Sequence, residues 1–240
     1  LPDNANSPKS LFGIESFKPI QVSNLDLDQL KDRRREFTRD EWMNLLLQSV
    51  GYDPSAFSDR EKLLFLTRCL PLVESNYNYV ELGPRGTGKS YLYREISPHS
   101  ILISGGKTTV AKLFLNLNTG RIGLVGRWDV VAFDEVGGLQ FSDSEAVQML
   151  KDYMESGSFS RGTEELTAQA SMVYVGNIDL DVEGVLKSSH LFEPFPEDMQ
   201  DLALIDRFHY YLPGWEVPKM RSEFFGDQFG FIVDYFAEFV

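Results

Sequence analysis

A glycine-rich stretch of ten residues carries the clearest chemistry in this sequence. Residues 81–90 read ELGPRGTGKS and fit the pattern G-x-x-x-x-G-K-[ST], with Gly83, Gly88, Lys89 and Ser90 at the fixed positions. In such a loop successive backbone N–H groups surround a phosphate, the lysine ammonium reaches the β- and γ-oxygens, and the hydroxyl ligates Mg²⁺. The sequence therefore predicts a site for ATP and Mg²⁺. The predicted nucleotide-binding residues are Gly83, Pro84, Arg85, Gly86, Thr87, Gly88, Lys89, Ser90 and Tyr91.

A pair of acids supplies the second half of the predicted chemistry. Residues 128–135 read WDVVAFDE, in which four apolar residues run directly into Asp134 and Glu135. In nucleotidases with a phosphate loop, an acid at such a strand end holds the Mg²⁺ and an adjacent glutamate polarises the attacking water. We assign Asp134 to the metal and Glu135 to the water; the alternative is an ordinary acidic turn. Asn177 ends a later apolar run and is a candidate for orienting the same water.

Alternating strands and helices are predicted around these groups. Short apolar runs predict strands at 76–82, 100–104, 128–135, 171–177 and 208–212. Helical spacing predicts helices from residue 91, over 109–117, and from a capping box at 142–145 to about residue 156. This alternation indicates an α/β fold with a five-stranded parallel sheet and helices on both faces. Ligands of such sheets bind beyond the carboxyl ends of the strands, where the loop and the acids fall.

The first 75 residues are predicted to be helical or irregular. Capping boxes at 38–41 and 58–61 predict two amphipathic helices, the first ended by Gly51 and the second stopped by Pro71. A charged helix over 25–37 contains three consecutive arginines, 33–35, which are either a phosphate contact or a solvated face. Residues 1–24 are rich in Pro, Ser and Asn and predict an arm or linker.

Composition narrows the class of protein. With 42% hydrophobic and 13% aromatic residues the 240-residue chain can bury a substantial core. A net charge of -13 restricts any nucleic-acid contact to a local patch. A single cysteine, Cys69, excludes a disulfide framework. Because no apolar run is long enough for a membrane span and the first residues are polar, we expect a cytoplasmic protein without membrane contact, cut from a longer chain.

The order of the motifs resembles a known family. The phosphate loop, the acidic motif, Asn177 and the run IDRF at 205–208 are similar, in that order, to the AAA+ ATPase core. The segment between Met154 and Ser171 resembles the extra hairpin before the Asn177 strand in the branch that holds Lon-type proteases and MCM-type helicases. More closely, long runs resemble the BrxL family of Lon-like AAA+ proteins from bacterial BREX phage-defence systems. These runs are 17–20, 36–38, 81–90, 93–98, 101–106, 123–126, 128–136 and 230–235.

The resemblance covers residues 17 to 240 and implies an assembly. It implies the ATPase core of a protein that forms a ring, hexameric or similar, and acts on double-stranded DNA, with other BREX components as candidate partners. It assigns Asp134 to Mg²⁺, Glu135 as base, Asn177 as sensor and Arg207 as the arginine finger for a neighbouring subunit. Arg221 is a candidate second sensor. The implied divisions are an N-terminal helical part at 25–75, the ATPase core at 76–215 and the start of a lid at 216–240.

Other interpretations stay open at this point. The chain is alternatively a protein-remodelling motor that feeds a peptidase, or a nucleotide-gated scaffold with weak turnover. The segment 157–170 predicts a hairpin in which 158–161 pairs with 166–169 across a turn at 162–165. In the resembling ATPases this hairpin enters the ring channel, where Phe159 would supply an apolar contact and Arg161 a phosphate contact. The alternative is a solvated loop with Phe159 folded onto the core.

Overall fold

A parallel sheet of five strands forms the centre of the protein. The computed structural model describes residues 26–141, 144–178, 184 and 190–239. The strands are β1 (Tyr79–Gly83), β2 (Ser100–Thr108), β5 (Val130–Phe141), β8 (Ser171–Asn177) and β9 (Tyr210–Pro213). They lie in the order β2-β5-β8-β1-β9, and each neighbouring pair is parallel. The predicted five-stranded α/β fold is therefore confirmed.

Both faces of the sheet are buried, because its strands are apolar on both sides. In β1 the side chains of Val80 and Leu82 join one apolar core, and Tyr79 joins the core on the opposite face. Glu81 shares its face with Tyr79 by strand alternation, and it is fully buried. An acid is therefore enclosed in a strand that is otherwise apolar.

Two helices that precede the sheet begin as predicted, α2 (Arg39–Ser49) and α3 (Asp59–Thr67). The charged helix α1 (Leu27–Arg34) is shorter than predicted, and α4 (Leu70–Val73) was not predicted. Both capping boxes are present, Thr38 with Glu41 and Ser58 with Glu61. Pro71 does not end α3, which stops at Thr67; the proline instead lies in the first turn of α4, where its missing N–H costs nothing.

The arginine run of α1 forms a solvated face. No residue of this helix is buried. Arg33 donates to Glu36 at 2.8 Å, Arg35 donates to Asp32 at 3.1 Å, and the guanidinium of Arg34 lies 4.9 Å from the ring centre of Trp42. The run therefore has local partners of its own.

Helices within the sheet region are shorter than predicted. Leu92–Ile96 forms one π-helical turn after the phosphate loop, and α5 covers only Val110–Leu113. Leu115–Asn116, inside the predicted helix, instead forms β3, which pairs antiparallel with β4 (Arg121–Ile122) as a hairpin. α6 spans Ser144–Ser156, and two residues of its predicted capping box, 142 and 143, lie outside the described residues, as does the predicted arm.

The remaining described elements are short. Helices form at Leu202–Ile205 and Val233–Phe239. Single 3₁₀ turns form at Pro54–Ala56, Leu124–Gly126, Glu197–Met199, Gly214–Glu216 and Ser222–Phe224. Among the described residues, no helix is both long and apolar enough to span a membrane.

The predicted hairpin exists, with a different register and orientation. β6 (Ser158–Arg161) pairs antiparallel with β7 (Glu164–Thr167), so the turn has two residues rather than four. Phe159 is 2% exposed and packs against Phe114, with ring centres 5.0 Å apart. The expectation that Phe159 offers an apolar contact in a channel is wrong, and the alternative, packing onto the core, is correct. Arg161 is also turned inward, since its guanidinium donates to the Leu115 carbonyl.

Candidate functional site

Close backbone contacts hold the phosphate loop, which joins β1 to the π-helical turn Leu92–Ile96. Gly86 and Gly88 have φ of +83° and +74°, backbone angles that residues with a side chain rarely adopt. A Cβ on Gly83 would lie 2.4 Å from the carbonyl carbon of Gly214, so this position also requires glycine. The Met220 N–H donates to the Gly86 carbonyl at 2.7 Å. The loop is therefore held by the segment that follows β9.

Lys89 lies at the base of this loop. Its ammonium donates to the carbonyls of Gly83 at 3.1 Å and Pro84 at 2.7 Å, and the side chain is 7% exposed. Burial lowers the pKa of Lys89, because the ammonium loses hydration, while the carboxylates of Glu81 and Asp134 oppose that shift. Asp134, in β5, is therefore one of the charged groups that act on the loop lysine.

Asp134 and Glu135 lie inside β5, where its pairing with β8 ends and its pairing with β2 shifts register. The prediction that the strand ends at Glu135 is wrong, because β5 continues to Phe141. Asp134 pairs with Ser104 across β2 and β5, and its Oδ1 accepts the Glu135 N–H at 2.9 Å. Glu135 has φ of +54°, uncommon for a residue with a side chain, and its carboxylate lies 3.7 Å from where a Cβ on Gly105 would be. Such backbone conformations cost about 1–3 kcal/mol and cluster at functional sites. The side chain of Glu135 is exposed beside Gly105 of β2.

Asn177 stands between the acids and the loop. β8 lies between β5 and β1 in the sheet, and Asn177 is the register partner of Gly83. The next residue, Ile178, donates its N–H to the Gly83 carbonyl at 3.1 Å. The structure thus brings Asn177, the phosphate loop and the two acids together at the carboxyl edge of the sheet.

Arg207 lies apart from this group, at the amino edge of the sheet. Its carbonyl accepts from Asn78, which directly precedes β1. Its guanidinium donates to the carbonyl of Lys151 at 2.9 Å, to the carbonyl of Ala203 and to the Glu155 carboxylate. In its own chain Arg207 therefore contacts α6 and the helix Leu202–Ile205, not the loop.

Arg221, the candidate second sensor, follows Met220 and so lies on the segment held against Gly86. It is exposed there. The segment that carries Arg221 is thus attached directly to the phosphate loop.

Sequence reasoning missed groups that lie beneath the loop. Arg68 and Glu81 form a buried ion pair, and Arg68 also contacts the loop residue Thr87. The Tyr52 hydroxyl lies 3.7 Å from where a Cβ on Gly88 would be, and burial raises the pKa of Tyr52 to about 12. Glu81 offered a signal, since an acid inside an apolar strand needs a buried partner. Nothing in the sequence pointed from Glu81 to Arg68.

The donor set of the site suits Mg²⁺. The Ser90 hydroxyl and the Asp134 carboxylate are oxygen ligands of the kind that this ion prefers. Asp134 is half-buried and uses Oδ1 for the Glu135 N–H, which fixes the orientation of the carboxylate. The residues present therefore fit a nucleotide bound with Mg²⁺.

Comparison with known proteins shows the family. The family described as "Lon-like protease BrxL-like, ATPase domain" matches residues 12–240. The protein named Lon-like protease BrxL from Bacillus cereus (strain H3081.97) is 58% identical over 239 residues, 99% of this chain and 35% of that protein. The one with the same name from Escherichia coli O9:H4 (strain HS) is 55% identical over 231 residues, 96% of this chain and 33% of that protein. The chain spans about a third of the length of these relatives.

Proposed function

Because the chain belongs to the family of BrxL-like ATPase domains, we propose that it hydrolyses ATP as the AAA+ core of a ring-forming, DNA-associated ATPase of BREX phage defence. The observation that carries the catalytic part is the position of three predicted site residues on neighbouring strands. Lys89 follows β1, Asp134 lies in β5 directly after its pairing with β8 stops, and Asn177 ends β8. Phosphoryl transfer depends mainly on positioning and charge neutralisation, so few protein groups need to react.

Each residue has a defined task in this proposal. The N–H groups of the loop and the Lys89 ammonium hold the phosphates, while Ser90 and Asp134 hold the metal. When bound, Mg²⁺ neutralises charge that develops on the phosphate oxygens. Glu135 accepts a proton from the attacking water, and Asn177 orients that water by hydrogen bonding.

Phosphate release tests this proposal directly. The protein that contains this chain is expected to release phosphate from ATP in the presence of Mg²⁺ and not in the presence of EDTA. Duplex DNA is expected to stimulate the rate. ATP binding without phosphate release under any of these conditions would favour the nucleotide-gated scaffold instead.

The protein-remodelling alternative has an observation in its favour. Phe159 and Arg161 of the β6–β7 hairpin turn inward, while the hairpin residue Glu165 is exposed and acidic. An exposed acid repels a phosphate backbone. Stimulation of the ATPase by an unfolded protein, with none by duplex DNA, would support this alternative over DNA.

The DNA contact has a second candidate surface on the β3–β4 hairpin. Its tip contacts the β6–β7 turn, because the Leu117 side chain lies 3.3 Å from where a Cβ on Gly162 would be. Leu117 is 57% exposed, and the cations Lys112 and Arg121 are exposed on α5 and β4. Lys112 and Arg121 would supply the local basic patch through which a protein of net negative charge contacts DNA phosphates.

Arg121→Ala is expected to weaken duplex binding by assembled rings and to reduce its salt dependence. Loss of one phosphate contact lowers the slope of log K against log salt by about 0.9 for each engaged subunit. Basal ATPase should not change, since Arg121 lies outside the nucleotide site. Arg35→Ala is the matched control, because Arg35 is exposed and already paired with Asp32. An unchanged slope for Arg121→Ala would remove this hairpin from the DNA contact.

A further inference from the structure

Arg68 and Glu81 form an ion pair inside the protein. Arg68 is 2% exposed and Glu81 is fully buried. The guanidinium donates twice to the carboxylate, from Nε to Oε2 at 2.9 Å and from Nη2 to Oε1 at 2.5 Å. The Tyr79 hydroxyl donates to Oε2 at 3.3 Å. The pair fixes the guanidinium in a single orientation, as bidentate arginine–carboxylate geometry does.

The rest of Arg68 reaches the phosphate loop and the turn after it. Its Nη1 donates to the Thr87 carbonyl at 3.0 Å, and Thr87 is fully buried. Its own carbonyl accepts from the Tyr93 hydroxyl at 3.0 Å. One residue at the end of α3 therefore connects β1, the loop and the helical turn beyond it.

The bond to Thr87 sets the direction of one peptide group in the loop. In a trans peptide the C=O and the following N–H point in opposite directions. Because the Thr87 carbonyl points toward Arg68, the Gly88 N–H points away from Arg68, toward the outer side of the loop. That peptide orientation accompanies the φ of +74° at Gly88. The loop N–H groups bind phosphate, so their direction decides whether they bind it.

Stability alone does not account for this pair. Replacing a buried ion pair by apolar residues of similar size is often neutral or stabilising, whereas removing one partner is costly. The two partners act in opposite directions on the pKa of Lys89, which Glu81 raises and Arg68 lowers, so the pair does not act on the loop as a single charge. The contribution specific to Arg68 is therefore the direction of its hydrogen bond to the loop.

We propose that Arg68, oriented by Glu81, is a positioning residue that holds the Thr87–Gly88 peptide with its N–H directed at the bound phosphates. This inference rests on the proposed ATP-binding function and deepens it. Arg68 touches no substrate, and its effect passes through the loop. The pair is thus part of the nucleotide site although it lies beneath it.

The test compares nucleotide affinity with stability. In the double variant Arg68→Met, Glu81→Met no unpaired charge is buried, and its unfolding midpoint is expected to stay near that of the unchanged protein. Its Kd for a fluorescent ATP analogue with Mg²⁺ is expected to rise about 10- to 100-fold, because a hydrogen bond to a charged group is lost from the loop. KM for ATP should rise with kcat unchanged, as for loss of uniform binding.

Two further variants complete the test. Arg68→Lys keeps the charge beside Glu81, but one ammonium cannot reproduce the fork that spans the carboxylate and Thr87, so the same rise in Kd is expected. Arg35→Met is the control, since Arg35 pairs with Asp32 on the surface, outside the loop and outside the segment that holds it, and Kd should not change. Unchanged Kd in a folded double variant and in Arg68→Lys would overturn this inference and leave ATP binding intact. Absence of ATP binding in the unchanged protein would overturn the proposed function itself.

Discussion

Lys89→Ala is expected to abolish ATP binding, whereas Glu135→Gln is expected to keep binding and lose hydrolysis. Lys89 is buried at the base of the loop, where its ammonium donates to the loop carbonyls and reaches the phosphates in the ground state. Glu135 is exposed and adopts a left-handed conformation, with its carboxylate beside Gly105 of β2. Loss of a general base typically lowers a rate by about 10²–10⁴-fold.

Equilibrium binding of a fluorescent ATP analogue and single-turnover phosphate release measure the two effects separately. Glutamine keeps the length of Glu135, so the left-handed conformation is retained and only the basic group is removed. Exposed residues away from the site supply the controls, Lys31→Ala for the lysine and Glu197→Gln for the glutamate. Equal loss of ATP affinity in Lys89→Ala and Glu135→Gln would remove the role assigned to Glu135.

Arg207→Ala is expected to lower ATPase about 10³-fold without changing ATP affinity, because Arg207 is proposed to act on the site of a neighbouring subunit. Arg207 cannot reach the nucleotide site of its own chain. The length of β1, about 15 Å at the usual rise for each strand residue, separates the amino edge of the sheet from the loop. Its guanidinium is also held by α6 through Lys151 and Glu155. The proposed action of Arg207 therefore requires a neighbouring copy of the chain.

Mixed rings provide the measurement. Arg207→Ala subunits and Lys89→Ala subunits are each expected to lose nearly all activity alone, but an interface that pairs an intact loop with an intact arginine should recover activity. The unfolding midpoint of Arg207→Ala is the control, because Arg207 also connects α6 to the helix Leu202–Ile205. Failure to recover activity in rings shown to contain both variants would refute action between subunits.

Local patterns in the sequence determined the phosphate loop, the strands of the sheet and the first helices of this protein. The phosphate loop and the two capping boxes depend on residues that are near one another in the chain, and each appears where it was predicted. The acids follow the predicted apolar run but lie inside β5 rather than at its end. Five apolar runs separated by helices predicted the parallel sheet, since such strands are buried on both faces. Because carboxyl ends of parallel strands share one edge, the meeting of Lys89, Asp134 and Asn177 was also predictable.

Contacts between distant residues decided the rest. The segment after Leu113 forms a hairpin rather than a helix. Phe159 was predicted to face a channel, but it packs in the core against Phe114. Burial of an aromatic ring stabilises the folded state by more than the helix or strand propensity of the neighbouring residues opposes. Arg68 is the clearest case, because its partners Glu81 and Thr87 come from β1 and the loop. Its role exists only once the helix end, the strand and the loop are packed together, since a buried charge must find its partner wherever the fold supplies one.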